Sequence, residues 1–168
     1  MTKDIYKDPI IAKYQELIEA AMPGVFKGVY QGDPIRIPKS SMPALIISKS
    51  LTRVGNLTNA EDQHEVSLIL SVVTDLRDEI NDDKEIVPGV AQLYSIIEGR
   101  DEQYKLKTDS ILHVLRSNIL VDAALNLRTN LGSITTANFG LTVGKRALDS
   151  YAVEGQVEFV ATYSQLRN

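Results

Sequence analysis

The chain has 168 residues, with 18 Lys plus Arg against 22 Asp plus Glu, 43% hydrophobic residues and no cysteine. This length suits one domain that buries roughly 70% of its extended-chain surface, and the missing cysteine excludes disulfides, thiolate metal sites and cysteine nucleophiles. The mild net charge of −4 disfavours a uniformly basic nucleic-acid binder, and no run reaches the ~18 apolar residues that a bilayer span needs.

Residues 1–8 lack the apolar centre of a signal peptide, so the expectation is a protein made and used without secretion. Asp8-Pro9 then opens a helix: Asp caps, Pro suits the first turn, and Ile10, Ile11, Tyr14, Leu17, Ile18 and Ala21 share one face. Pro23-Gly24 ends it. Pro34, Pro38 and Pro43 punctuate the next segment, so the β-like runs at residues 25–30 and 35–37 predict short or edge strands. Residues 44–54 and 63–76 are the two strongest strands, the second placing Val66, Leu68, Leu70 and Val72 on one face. The polar stretch at 55–62 predicts a flexible, protruding hairpin tip between them, and a candidate contact surface.

Residues 75–85 are acidic and end at a Pro88-Gly89 break; a short helix is expected over 90–97 and a linker over 99–107. Thr108-Asp109-Ser110 starts a further helix with Ile111, Leu112, Leu115, Ile119 and Leu120 inward. Strands over 139–146 and 154–163 alternate with period two and predict a closing hairpin. Helix, strands, helices and hairpin in this order predict an α+β fold, a mainly antiparallel sheet with helices packed on one face. No repeat or interior linker divides the chain, so residues 1–168 are read as a single domain.

Chemical signatures are sparse. His64 and His113 are the only histidines, and neither sits in a His-x-x-x-His or His-Glu-x-x-His arrangement, so neither a metal site nor a general base is anchored. Gly-x-Ser-x-Gly, Walker-type and Gly-x-Gly-x-x-Gly patterns are also missing, while Gly140 and Gly144 read as strand glycines that mark a bulge or close packing. The carboxylates at 78–83 lack the alternation and central glycine of a calcium loop, so the run is read first as a solvated acidic loop, with a surface that meets a basic partner and a cation site as the alternatives. No catalytic residue, cofactor or metal is expected, and the chain is read as a non-enzyme.

Charge distribution says more than its total. Residues 1–60 carry 8 basic and 5 acidic side chains, residues 61–85 carry 2 and 9, and the remainder is balanced. A basic front and an acidic segment on one small domain suit a head-to-tail contact between copies, with pairing inside one chain as the alternative.

The order of these pieces resembles a known family. It starts with the helix from Asp8, continues through Tyr30-Gln31-Gly32-Asp33-Pro34 and Ile37-Pro38-Lys39-Ser40-Ser41-Met42-Pro43 before a strand, and then runs from a long strand over 65–76 into Arg77-Asp78-Glu79. Asp109-Ser110-Ile111 with Leu115-Arg116-Ser117-Asn118 follows, and Glu154-Gly155-Gln156-Val157-Glu158-Phe159-Val160-Ala161-Thr162-Tyr163 closes the chain. Over nearly its whole length the chain is similar to the tail terminator (tail completion) proteins of long-tailed bacteriophages.

The resemblance implies a structural virion protein, assembled in the host cytoplasm. It would form a homo-oligomeric, usually hexameric, ring on the head-proximal end of the tail. Such a ring binds the tail tube protein, stops tube polymerisation and presents a docking surface to the head completion or connector protein. Genomic DNA passes its lumen without sequence-specific binding, and no membrane is involved. Within that picture Asp75, Asp78, Glu79, Asp82 and Asp83 would face either Arg36, Lys39, Lys49 or Arg53 of a neighbouring subunit, or the lumen, where like charge repels DNA. Two rival readings stay open: another neck or tail ring component, such as a head-tail connector or baseplate adaptor, and a small ligand-binding α+β domain.

Overall fold

The computed structural model describes residues 5–76, 86–143 and 151–167. Helix α1 spans Pro9–Ala21. The Asp8 carboxylate accepts from the N–H groups of Ile10 and Ile11 at 2.9 and 3.1 Å, which satisfies two of the donors that a helix start leaves open. Ile10, Ile11, Tyr14 and Ile18 are its buried stripe. At its end Met22 N–H bonds Ile18 O at 2.8 Å, and Gly24, at φ +73°, takes the left-handed conformation that turns the chain away.

Strand β1 (Gly28–Gln31) runs parallel to the first four residues of β2 (Ala44–Asn56) and forms one edge of the sheet. The strand anticipated at 35–37 does not form. Pro34 and Pro38 bracket it and supply no backbone donors. Ile37 serves instead as a fully buried plug against Met42, Ala44, Ile46, Val73 and Ala152, while Ile35 faces solvent.

Strand β3 (Glu61–Asp75) returns antiparallel to β2, with an irregularity between Lys49 and Leu51. Because β2 continues to Asn56 and β3 begins at Glu61, the anticipated 55–62 loop shrinks to residues 57–60.

Helix α2 covers Pro88–Glu98. Pro88 therefore begins this helix and does not break the chain before it, since its fixed φ and missing N–H suit a first turn. Helix α3 (Ile111–Ser117) is capped by Ser110, whose hydroxyl accepts from His113 N–H at 3.4 Å. It stops earlier than the apolar pattern implies: Asn118 donates to Val114 O through both its side chain and its backbone. Ile119 and Leu120, expected inward, are therefore largely exposed.

Leu120 opens a short hairpin that periodicity missed, β4 (Leu120–Asp122) and β5 (Leu127–Thr129). Lys13 of α1 pairs with Asp122 at 3.2 Å. That hydrogen bond raises the Lys13 pKa, while the Asp122 carboxyl is lowered first by the Leu125 N–H and then by Lys13.

Strands β6 (Thr135–Val143) and β7 (Tyr151–Leu166) form the anticipated closing antiparallel pair. The ladder between them is irregular from Ala137 to Gly140, in keeping with a bulge at that glycine; Gly144 lies outside the described residues. The sheet order is β1-β2-β3-β7-β5-β4, with β6 also on β7. β5 and β6 share one side of β7, at its far and near ends. Between them a 3₁₀ turn, Leu131–Ser133, satisfies Val160: Asn130 N–H donates to its carbonyl and Ser133 Oγ accepts from its N–H, both at 2.8 Å.

The result is an α+β domain with a mostly antiparallel, curled seven-stranded sheet. Alternation sends Leu45, Ile47, Leu68, Leu70, Val72, Val157 and Phe159 toward helix residues including Tyr14, Ile18, Leu93, Ile97 and Ile111. Each such side chain contributes about 1.5–3 kcal/mol on burial. Gly155 lies where α2 comes closest: a Cβ there would sit 2.6 Å from Ile97 Cδ1 and 3.1 Å from the Phe139 ring.

Candidate functional site

The two long strands do not end where the helical layer ends. From Lys49 onward every residue of β2 is exposed, and β3 and β7 accompany it in register as far as Glu61 opposite Leu166. The hairpin anticipated from sequence is thus one part of a three-stranded arm, open on both faces toward its tip. Arg167 secures the end: its guanidinium bonds Asp62 at 2.7 Å and also reaches Asn56, and its N–H donates to Ala60 O at 2.9 Å. His64 on β3 stacks on Tyr163 of β7, with ring centroids 4.6 Å apart; burial raises the Tyr163 pKa. Leu51, Val54, Leu57 and Leu166 expose between 49% and 70% of their surface along the arm. Alternation divides them: Leu51 and Leu166 lie on the face of Ser67 and Glu61, Val54 lies on the opposite face with His64, and Leu57 belongs to the tip.

The charged candidates fall into three groups. Lys39 and Asp75 meet within one subunit at 3.4 Å, and Lys49 bonds the same Asp8 carboxylate that caps α1. Pairing inside the chain therefore occupies both lysines and the one acidic candidate that is described. Arg36 and Arg53 are exposed and make no ion pair among the described residues. Asp78, Glu79, Asp82 and Asp83 lie outside the described residues.

The sheet face away from the helices is polar and only partly covered. Arg53, Glu65, Thr162 and Arg128 form one row across β2, β3, β7 and β5, and Ser48, Ile69, Glu158 and Thr135 form another across β2, β3, β7 and β6. The residues at 37–46 cover the far end, where Ser71 and Glu154 are buried.

Elsewhere, His113 bonds Ser117 Oγ at 3.1 Å, one helical turn away. A groove of about 530 Å³ beside α2 is lined by Tyr94, Ser95, Glu98, Arg100, Lys107 and Phe139, a set that can hold a charged group but brings no nucleophile and base together. Among the described residues no group of three or more His, Asp or Glu side chains could hold a metal ion, and no helix is long and apolar enough to cross a membrane.

Local sequence signals point to β2 and β3 but not to their third strand. Nothing in residues 61–76 says that residues 151–166 lie beside them, although the alternation of both segments would have permitted the pairing. No protein-family model and no curated protein matches the sequence.

Proposed function

We propose that this chain is a tail terminator: a structural protein that assembles as a hexameric ring on the head-proximal end of a phage tail tube, halts tube growth and receives the head connector. The observation that carries this reading is the three-stranded arm, braced by Arg167 and bearing Leu51, Val54, Leu57 and Leu166 in solvent. A cross-braced arm that exposes apolar side chains on both faces and at its tip suits attachment to a repeating surface, where many modest contacts made at once become strong through avidity. The ordering of elements that resembles the terminator family is the second support. In this role one ring face binds the last tube ring, and the other offers no surface for another tube subunit.

The test is assembly of tails in the absence of the protein, viewed by negative-stain microscopy. Overlong or headless tails are expected, with normal length and head joining restored by the intact chain. Tails of normal length that join heads without the protein overturn the proposal.

A further inference from the structure

We infer that two open edges of the sheet join copies of this chain head to tail, the free edge of β2 in one copy pairing with the free edge of β6 in the next. The inference rests on the ring reading above and names the surfaces that would build the ring.

β1 covers β2 only along Ala44–Ile47, and Gly32 N–H closes that pairing on Ile47 O at 2.8 Å. The remaining nine of its 13 residues, from Ser48 to Asn56, have no strand on that side among the described residues. At the other side of the sheet, β6 is nine residues long and pairs only with β7 among the described residues. An uncovered strand edge presents a row of N–H and C=O groups ready to bond another strand. Here one chain carries two such edges of equal length, facing opposite ways.

The edges are also staggered. Ser48, Ile69, Glu158 and Thr135 lie in one row. From that row the β2 edge runs toward the arm tip and the β6 edge runs toward the opposite end of the sheet. Joining them displaces each copy along the strand direction by the same amount. Such a contact is heterologous and leaves one edge of each kind open at every step; it closes into a ring where strand tilt absorbs the stagger, as in a barrel.

Charge favours the same match. Arg53 on β2, opposite Glu65 of β3, makes no ion pair among the described residues, and neither does Glu158 of β7, exposed on the same face beside Thr135 of β6. The irregularity between Lys49 and Leu51, together with the Lys49–Asp8 pair, discourages flat pairing of the β2 edge with unrelated strands.

A chain without cysteine makes the experiment simple. The full chain would carry one cysteine on each edge, Thr52→Cys or Arg53→Cys with Thr135→Cys or Thr136→Cys, and be oxidised mildly. Within one copy β3 and β7 separate the edges by roughly 14 Å at ~4.8 Å per strand, beyond the ~7 Å Cα reach of a disulfide. The expected result is a reducible ladder of covalent multimers that ends at the native ring mass, with single-cysteine chains giving no ladder. A native ring with no ladder from any of the four pairs overturns the inference and leaves the ring reading standing. Disulfide dimers from Thr52→Cys alone point to β2 meeting β2 in a symmetric dimer and overturn it too. A monomeric native mass at all concentrations overturns both the inference and the ring.

Discussion

Replacing Tyr14 with Phe isolates one buried hydrogen bond in the core. Tyr14 is fully buried, its ring centroid lies 4.9 Å from that of Phe159, and its hydroxyl meets Thr129 Oγ1 at 2.8 Å. The substitution keeps the ring and its packing but leaves the Thr129 hydroxyl, 3% exposed, without that partner. Its cost is about 1–2 kcal/mol, or about 2–4 °C of melting temperature per kcal/mol for a domain of this size.

Burial of the same side chain has a pH signature, which the Thr129 bond opposes. Burial pushes the Tyr14 pKa up to about 12, above the ~10 of an unfolded chain. The folded state therefore holds this proton after the unfolded state has lost it. The contribution is fully present below pH ~10 and is lost as pH rises toward ~12, on the order of 3 kcal/mol in all. Tyr14→Phe removes that slope. Urea unfolding followed by circular dichroism at neutral pH and between pH 10 and 12, compared with the parent, reads both effects, because all other titrating groups are common to the two proteins. Tyr14→Phe and Thr129→Val should also be non-additive, since they remove one bond. A variant within about 0.3 kcal/mol of the parent at neutral pH, with the parent's alkaline slope intact, would refute the assignment.

Two further substitutions test how the helices are set on the sheet. Asp8→Ala removes the α1 cap and the Lys49 partner together and should cost about 1 kcal/mol, whereas Asp8→Asn keeps a capping oxygen and should recover most of it; equal losses in urea unfolding would show that the ion pair, not the cap, matters. Gly155→Ala puts a Cβ against Ile97 Cδ1 and should cost about 1–3 kcal/mol through overpacking. Ile97→Val deletes that methyl group, so the double variant should be more stable than the sum of the two single effects predicts.

The features legible in the amino-acid order are local. Asp8-Pro9 marks the start of α1 because capping and proline geometry need only adjacent residues. Val66, Leu68, Leu70 and Val72 mark a buried strand face because period two is a property of one segment. Together with the order of elements, these suffice for an α+β domain with helices on one side of a mainly antiparallel sheet. The local rules also mislead where context overrides them. Ile119 and Leu120 continue the apolar pattern of α3, yet Asn118 ends the helix and they enter the β4–β5 hairpin, whose three-residue strands are too short to show a period. Ile37 looks like a strand residue between two prolines and becomes a core plug.

Tertiary structure alone decided the partners. A strand's alternation sets which face is buried, not which strand lies alongside, so the pairing of β3 with β7, and with it the third strand of the arm, had no local signal. Charge behaved likewise. The imbalance between residues 1–60 and 61–85 is legible by counting, but whether Lys39 and Lys49 are available to another chain depends on what the fold sets beside them. It sets Asp75 beside the first and Asp8 beside the second, and leaves Arg53 exposed, near an edge of the sheet that no strand covers among the described residues.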